Sequence, residues 1–125
     1  MLDTHVVLWA LEDHRLLSAD MVRVLRSLPR PRFIVSAASI WEISIKAAKG
    51  KLRAPADLPD RLLRQGFELL SVTPVHAWAV RDLSGELTNK DPFDRLIYIQ
   101  ARLEGLTLAT RDAVLLRSGL DVVRA

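Results

Sequence analysis

At 125 residues the chain has the length of one domain. With half its residues apolar and 26% charged, it belongs with folded globular proteins rather than disordered ones. It has no cysteine, which excludes disulfides, thiolate nucleophiles and cysteine-ligated metals and agrees with a reducing, cytoplasmic setting. Lys and Arg number 18 against 15 Asp and Glu, and the net charge of +3 hints only weakly at a polyanionic partner.

In chain order, the first apolar stretch is Met1-Leu2, cut short by Asp3. Either the first strand is very short or the start lacks a few residues. An acid at position 3 also stands where a signal peptide carries basic residues, and no apolar run approaches the ~18 residues of a membrane span. Phe33-Ile34-Val35 is a brief β-type run, and Ser36 to Lys49 has helical spacing. Gly50 to Pro59 is the longest expected loop. Phe67 to Val72 reads as a strand and Pro74 to Leu83 as a helix. Leu96, Ile97, Gln100 and Leu103 recur at 3–4 spacing, which predicts a helix over Phe93 to Leu103, ended by Gly105. Leu106 to Ala109 is a strand candidate, Arg111 to Ser118 a helix closed by Gly119, and Val122-Val123 a last strand. Short strands alternating with helices predict an α/β fold with a mostly parallel central sheet, in one domain over residues 1–125.

In such a sheet, ligands bind beyond the carboxyl ends of the strands. Asp3, Glu42, Asp91, Asp94 and Asp112 all fall at or just past expected strand-to-helix junctions. Each has a local explanation. Ser39-x-x-Glu42 has the spacing of a capping box, and Glu42 could pair with Lys46 in an exposed contact worth ~0.3–0.5 kcal/mol. Asp91-Pro92 is a common helix start, and Asp94 and Asp112 suit a helix N-terminus. Asp3 has no cap to make unless a helix begins directly. As a set the acids are harder to dismiss. Two carboxylates ~5 Å apart repel by roughly 3 kcal/mol at an effective dielectric of 20. Several such repulsions at one edge call for a cation, and hard oxygen donors without cysteine or paired histidines suit Mg²⁺ or Mn²⁺. A carboxylate-held dication is what phosphodiester hydrolysis needs.

Four blocks occur in one order: Leu2-Asp3-Thr4-His5-Val6-Val7-Leu8-Trp9-Ala10-Leu11, Ser36-Ala37-Ala38-Ser39-Ile40-Trp41-Glu42-Ile43, Asp91-Pro92-Phe93-Asp94-Arg95-Leu96-Ile97, and Leu108-Ala109-Thr110-Arg111-Asp112. Together they resemble the PIN-domain family and, within it, the VapC-type toxins of bacterial toxin–antitoxin pairs. The resemblance implies a three-layer α/β/α fold and a metal-dependent endoribonuclease silenced by a cognate antitoxin. It places the catalytic acids at Asp3, Glu42, Asp94 and Asp112. Asp3, Asp94 and Glu42 would hold Mg²⁺ or Mn²⁺ directly or through water, and Asp112 would complete the site or hold a second ion. Asp91 is a supporting ligand or, the preferred view, a helix cap. The implied cleavage is in-line attack by water, leaving a 5′-phosphate and a 3′-hydroxyl, with RNA as substrate. Thr110 matches a family hydroxyl, its plain alternative being the cap of the next helix. Where family members often carry a histidine, two residues before the Asp91 block, this chain has Asn89.

His5, His14 and His76 lack metal-ligand spacing, and His5 either reaches the acidic edge or, the preferred view, packs or caps. Trp9, Trp41 and Trp78 are expected as core or interface anchors rather than base-stacking platforms. Lys46, Lys49, Lys51 and Arg53 form a solvated basic stretch that could also hold RNA phosphates, and Arg26, Arg30 and Arg32 form a weaker one. The mean hydropathy of +0.14 is high for a small soluble chain. It suggests a partner groove carrying Val6, Val7, Leu11 and Leu25, for an antitoxin helix or a homodimer contact. The competing possibility is a non-catalytic RNA- or partner-binding module whose acids only cap helices. A receiver-like phosphoacceptor lacks its adjacent acid pair, and a dehalogenase-like phosphatase wants an Asp where His5 stands.

Overall fold

The computed structural model describes residues 1–83, 87 and 91–125, and Asn89 lies outside them. The elements in order are α1 (Thr4–Glu12), a 3-10 turn (His14–Leu16), α2 (Ala19–Arg26), β1 (Ile34–Ser36), α3 (Ala37–Ala48), α4 (Leu58–Arg64) and β2 (Glu68–Leu70). They continue with α5 (Pro74–Ala79), a second 3-10 turn (Val80–Leu83), α6 (Pro92–Leu103), β3 (Leu108–Thr110), α7 (Ala113–Leu116) and β4 (Val122–Arg124).

β1 pairs in parallel with β2, Ile34 opposite Glu68, and β3 pairs in parallel with β4, Leu108 opposite Val122. Between the two pairs lies a strand position occupied by Leu2 alone, which bridges in parallel to Val35 on one side and Ala109 on the other. Leu2 N–H donates to Ile34 O at 2.9 Å, Asp3 N–H to Ala109 O at 3.0 Å, and Ala109 N–H to Met1 O at 2.8 Å. The order is therefore β2–β1–Leu2–β3–β4, every observed pairing parallel, with a central strand reduced to a single bridge residue.

The two-residue period of the strands shows that both faces of the sheet are covered. Leu2, Phe33, Val35 and Ala109 share one core with Val6 and Val7 of α1, Met21 of α2 and Leu62 of α4. Their neighbours Met1, Ile34 and Leu108 join the opposite core with Ile97 and Ile99 of α6 and Leu115 of α7. Helices on both faces make the three-layer α/β/α arrangement that the resemblance implies.

Several expectations are corrected. α1 begins directly after Leu2-Asp3, so it must cover the centre of the sheet, and Val6 and Val7 are wholly buried. Leu11 and Leu25 pack against the same core. Val6 and Val7 therefore cannot line a docking groove, whereas Leu11 and Leu25 are only partly buried. The helix expected over Pro74 to Leu83 gives way to a 3-10 turn at Val80, and the one expected over Arg111 to Ser118 keeps only four residues. The long loop ends earlier than Pro59, because α4 starts at Leu58.

α6 is the helix that the sequence marks most strongly. Asp91 Oδ1 accepts from Phe93 N at 2.8 Å and Asp94 N at 3.2 Å, and Pro92 opens the helix with no N–H to leave unpaired. Gly105 follows its end at φ 63°, where a side chain would be strained. Residues 97–101 are all buried, so this helix is enclosed rather than one-sided. The buried Gln100 takes part in that enclosure. Its Oε1 accepts from the Ser36 hydroxyl, and its Nε2 donates to Ser71 O at 3.2 Å. Ser36 Oγ in turn accepts from Ala38 N at 2.9 Å and so caps α3. A Gln100→Leu chain leaves the Ser36 hydroxyl and the Ser71 carbonyl without these partners. It is expected to lose about 1–3 kcal/mol in urea unfolding; an unchanged midpoint would show that the network does not hold α6 to β1.

Candidate active site

Asp3 follows Leu2, Ser36 closes β1, and Thr110 closes β3 just before Asp112, so these stretches end at one edge of the parallel sheet. A cleft of about 240 Å³ opens there. Asp3, Glu42, Asp91, Asp94 and Asp112 all line it, together with His5, Trp9, Lys46 and Arg111. The acids picked out along the sequence, far apart in the chain, share one concave site.

Their environments differ. Asp3 is only 6% exposed and precedes α1, yet its side chain makes no cap bond. Its Oδ2 accepts from Thr110 Oγ1 at 2.6 Å, and Thr110 Oγ1 accepts from Asp112 N at 3.0 Å. Thr110 therefore ties Asp3 to the end of β3 and does not cap the next helix. That role falls to Asp112, whose Oδ1 accepts from Val114 N at 2.7 Å and Leu115 N at 2.9 Å. Burial pushes the Asp3 carboxyl above its ordinary pKa, against the Thr110 hydrogen bond and the nearby His5, and Glu42 pushes the same way as burial.

Glu42 lies one turn into α3 and is buried. The expected capping box with Ser39 does not form: Ser36 is the cap, and the Ser39 hydroxyl is buried without a partner among the described residues. Glu42 Oε1 accepts from Lys46 Nζ at 2.5 Å. The pair is not the exposed contact expected, since the glutamate side chain is 6% exposed. Glu42 Oε2 is buried with no hydrogen-bond partner among the described residues. The bond to Glu42 raises the Lys46 pKa, and Asp91 and Asp94 add to it. Lys46 is thus the counterion of the cleft acids, whereas Lys49, Lys51 and Arg53 are exposed beyond it.

Asp91 caps α6, and Asp94 stands half-buried one turn in. His5 corrects the preferred view of it: it is exposed at the cleft, 6.0 Å from the Trp9 ring. Trp41 and Trp78 are not core residues, being 59% and 68% exposed, and Trp41 meets the Phe93 ring edge-on at 5.0 Å. His14 Nε2 contacts Ala10 O at 2.8 Å, and buried His76 shares a capping box with Thr73. Neither histidine lines the cleft. Arg111 does, and sequence reasoning singled it out for nothing; its place between Thr110 and Asp112 was the available signal.

The acidic donors are all hard oxygen, with one buried carboxylate oxygen unpartnered among the described residues and another carboxyl whose pKa burial raises. These residues fit a hard dication. No three of the acidic or imidazole groups gather around a single point tightly enough to hold an ion, among the described residues. An ion here would be gripped partly through water, as Mg²⁺ usually is.

The PIN domain family model matches residues 1–119. Over 79 residues the chain is 40% identical to Ribonuclease VapC16 of Mycobacterium tuberculosis (strain ATCC 25618 / H37Rv), a match taking in 58% of this chain. It covers 55% of that protein, so the chain spans about half the length of this curated relative. Among solved structures it is similar to one in the crystal structure of VapBC2 from Rickettsia felis bound to a DNA fragment from their promoter, with a TM-score of 0.70 and 18% identity. That superposition covers 99% of this chain and 96% of the other, and at such identity it speaks for the fold. A family match running from the first residue to residue 119, on a sheet sandwiched between helices with its acids at the carboxyl edge, places this chain in the PIN-domain family.

Proposed function

We propose that this protein is a metal-dependent endoribonuclease and the toxin of a toxin–antitoxin pair, with Asp3, Glu42, Asp94 and Asp112 holding Mg²⁺ or Mn²⁺. The observation that carries the metal site is Glu42, which lines a cleft of acids and whose second carboxylate oxygen is buried and unpartnered among the described residues. A fold does not ordinarily leave a charged oxygen in that state unless a cation answers it. The RNA substrate and the antitoxin partner rest on kinship with the VapC relative.

The bound ion would supply positive charge against the phosphate and a more acidic water. The chain's own residues do the rest. Thr110 holds one oxygen of Asp3 and so fixes that carboxylate at the end of the central strand. Lys46 takes one oxygen of Glu42 and leaves the other, without a hydrogen-bond partner among the described residues, for an ion. Asp112 and Asp91 spend oxygens on helix N-termini, which orients them without neutralising them.

A non-catalytic binding module remains the alternative, and the capping by Asp91 and Asp112 is what it would show. Among the described residues neither Asp3 nor Glu42 makes a side-chain cap bond, which favours the nuclease. Purified protein is expected to cut RNA with Mg²⁺ or Mn²⁺, to stop on chelation, and to slow by about 100-fold in Asp94→Asn. Cleavage that survives both treatments would remove the metal site. An absence of cleavage at any ion concentration, with RNA affinity kept in Asp94→Asn, would favour the binding module.

A further inference from the structure

The cations lining the cleft among the described residues are Lys46 and Arg111, with His5 titratable beside them. Lys46 is spent on Glu42. Arg111 is exposed and pairs with no carboxylate among the described residues, although Asp3 and Asp112 line the same cleft. Two contacts hold it instead. Its guanidinium carbon lies over the Trp9 ring, 5.4 Å from the centroid, and its Nη1 donates to Leu16 O at 2.8 Å. A long flexible side chain is thereby held at the mouth of an acidic site, with donors and one guanidinium face left over.

We propose that Arg111, seated on Trp9, is the phosphate anchor of the cleft: its remaining donors take the oxygens of a phosphate adjoining the one that is cut. This rests on the nuclease assignment and adds to it a positioning residue outside the acid set. Carboxylates alone would repel the RNA backbone, and a fixed guanidinium fork answers phosphate geometry better than an ammonium does. The contacts with Trp9 and the Leu16 carbonyl set the fork before the substrate arrives, so less side-chain entropy is lost on binding. Trp9 thus supports the arginine while also packing against the core, as expected of it.

The test compares wild type with Arg111→Ala and Arg111→Lys, binding a labelled single-stranded RNA of about a dozen nucleotides. Binding is measured in chelator, so that nothing is cut, across about 25 to 200 mM salt. Arg111→Ala is expected to weaken binding about 10-fold and to lower the salt slope by about 0.7, the loss of one phosphate contact on a single strand. Arg111→Lys is expected to keep the slope and weaken binding by about 3-fold, because the charge stays and the fork goes. A slope unchanged in Arg111→Ala overturns the anchor, whatever happens to affinity or melting temperature. So does a wild type that cuts this RNA with Mn²⁺ yet does not bind it until the ion is added. A wild type that neither binds nor cuts removes the nuclease assignment along with the anchor.

Discussion

Asp3→Asn is expected to abolish RNA cleavage while making the fold more stable. The activity loss should reach about 1000-fold, corresponding to ~4 kcal/mol of lost charge stabilisation in the transition state. The gain in stability has a separate cause. Burial raises the Asp3 carboxyl above its ordinary 3.8, so the folded chain holds that proton more tightly than the unfolded chain. The stability tied to this proton is complete below 3.8 and is lost as pH climbs through the raised folded value, leaving a buried anion at neutral pH. Asparagine carries no such charge, and its amide oxygen can still accept from Thr110. At pH 7.5 the variant should gain about 0.5–2 kcal/mol, or roughly 2–8 °C in Tm, and the gain should vanish toward pH 4. Mn²⁺ should raise the Tm of wild type and have little effect on the variant, since only the former binds it well. Thermal melts across that pH range decide the matter: a variant less stable than wild type at neutral pH would mean that the Asp3 carboxylate serves the fold and not a cation.

The same residue shows what could be read from the sequence and what could not. Asp3 was legible because an acid ending a two-residue apolar start has no ordinary structural task, and Glu42, Asp94 and Asp112 were legible through their junction positions. Their gathering in one cleft depends on strand order, which alternation of short strands and helices already constrains. Side-chain pairing was harder to read. Ser39-x-x-Glu42 satisfies a capping pattern, but Ser36, at the end of β1, reaches the helix N-terminus first and leaves Glu42 to Lys46. Val6 and Val7 read as surplus apolar surface because a pattern does not say which face a helix turns to the sheet. Arg111 went unnoticed because its partners, Trp9 and Leu16, lie about a hundred positions earlier in the chain.

Leu2→Ala is expected to destabilise the core strongly, and it should harm activity beyond its effect on folding. Leu2 is 1% exposed and is the bridge residue that stands between β1 and β3. Truncating a fully buried leucine costs about 3–5 kcal/mol where the surroundings cannot collapse. Here they are two strands already fixed by their outer partners β2 and β4. Leu62→Ala, on α4 and equally buried, makes a matched comparison because Leu62 does not line the cleft. Both variants should lower the urea midpoint by similar amounts. They should part in catalysis at a temperature where each is still folded. Leu62→Ala should cut RNA nearly as wild type does. Leu2→Ala should be slower by about 100-fold, because Asp3 is positioned by its own backbone bond to Ala109 and by the strand residue before it, and a shift of about 1 Å at a reacting centre has that effect. Equal activities in the two variants would mean that Thr110 alone holds the Asp3 carboxylate in place and that the one-residue strand contributes only packing.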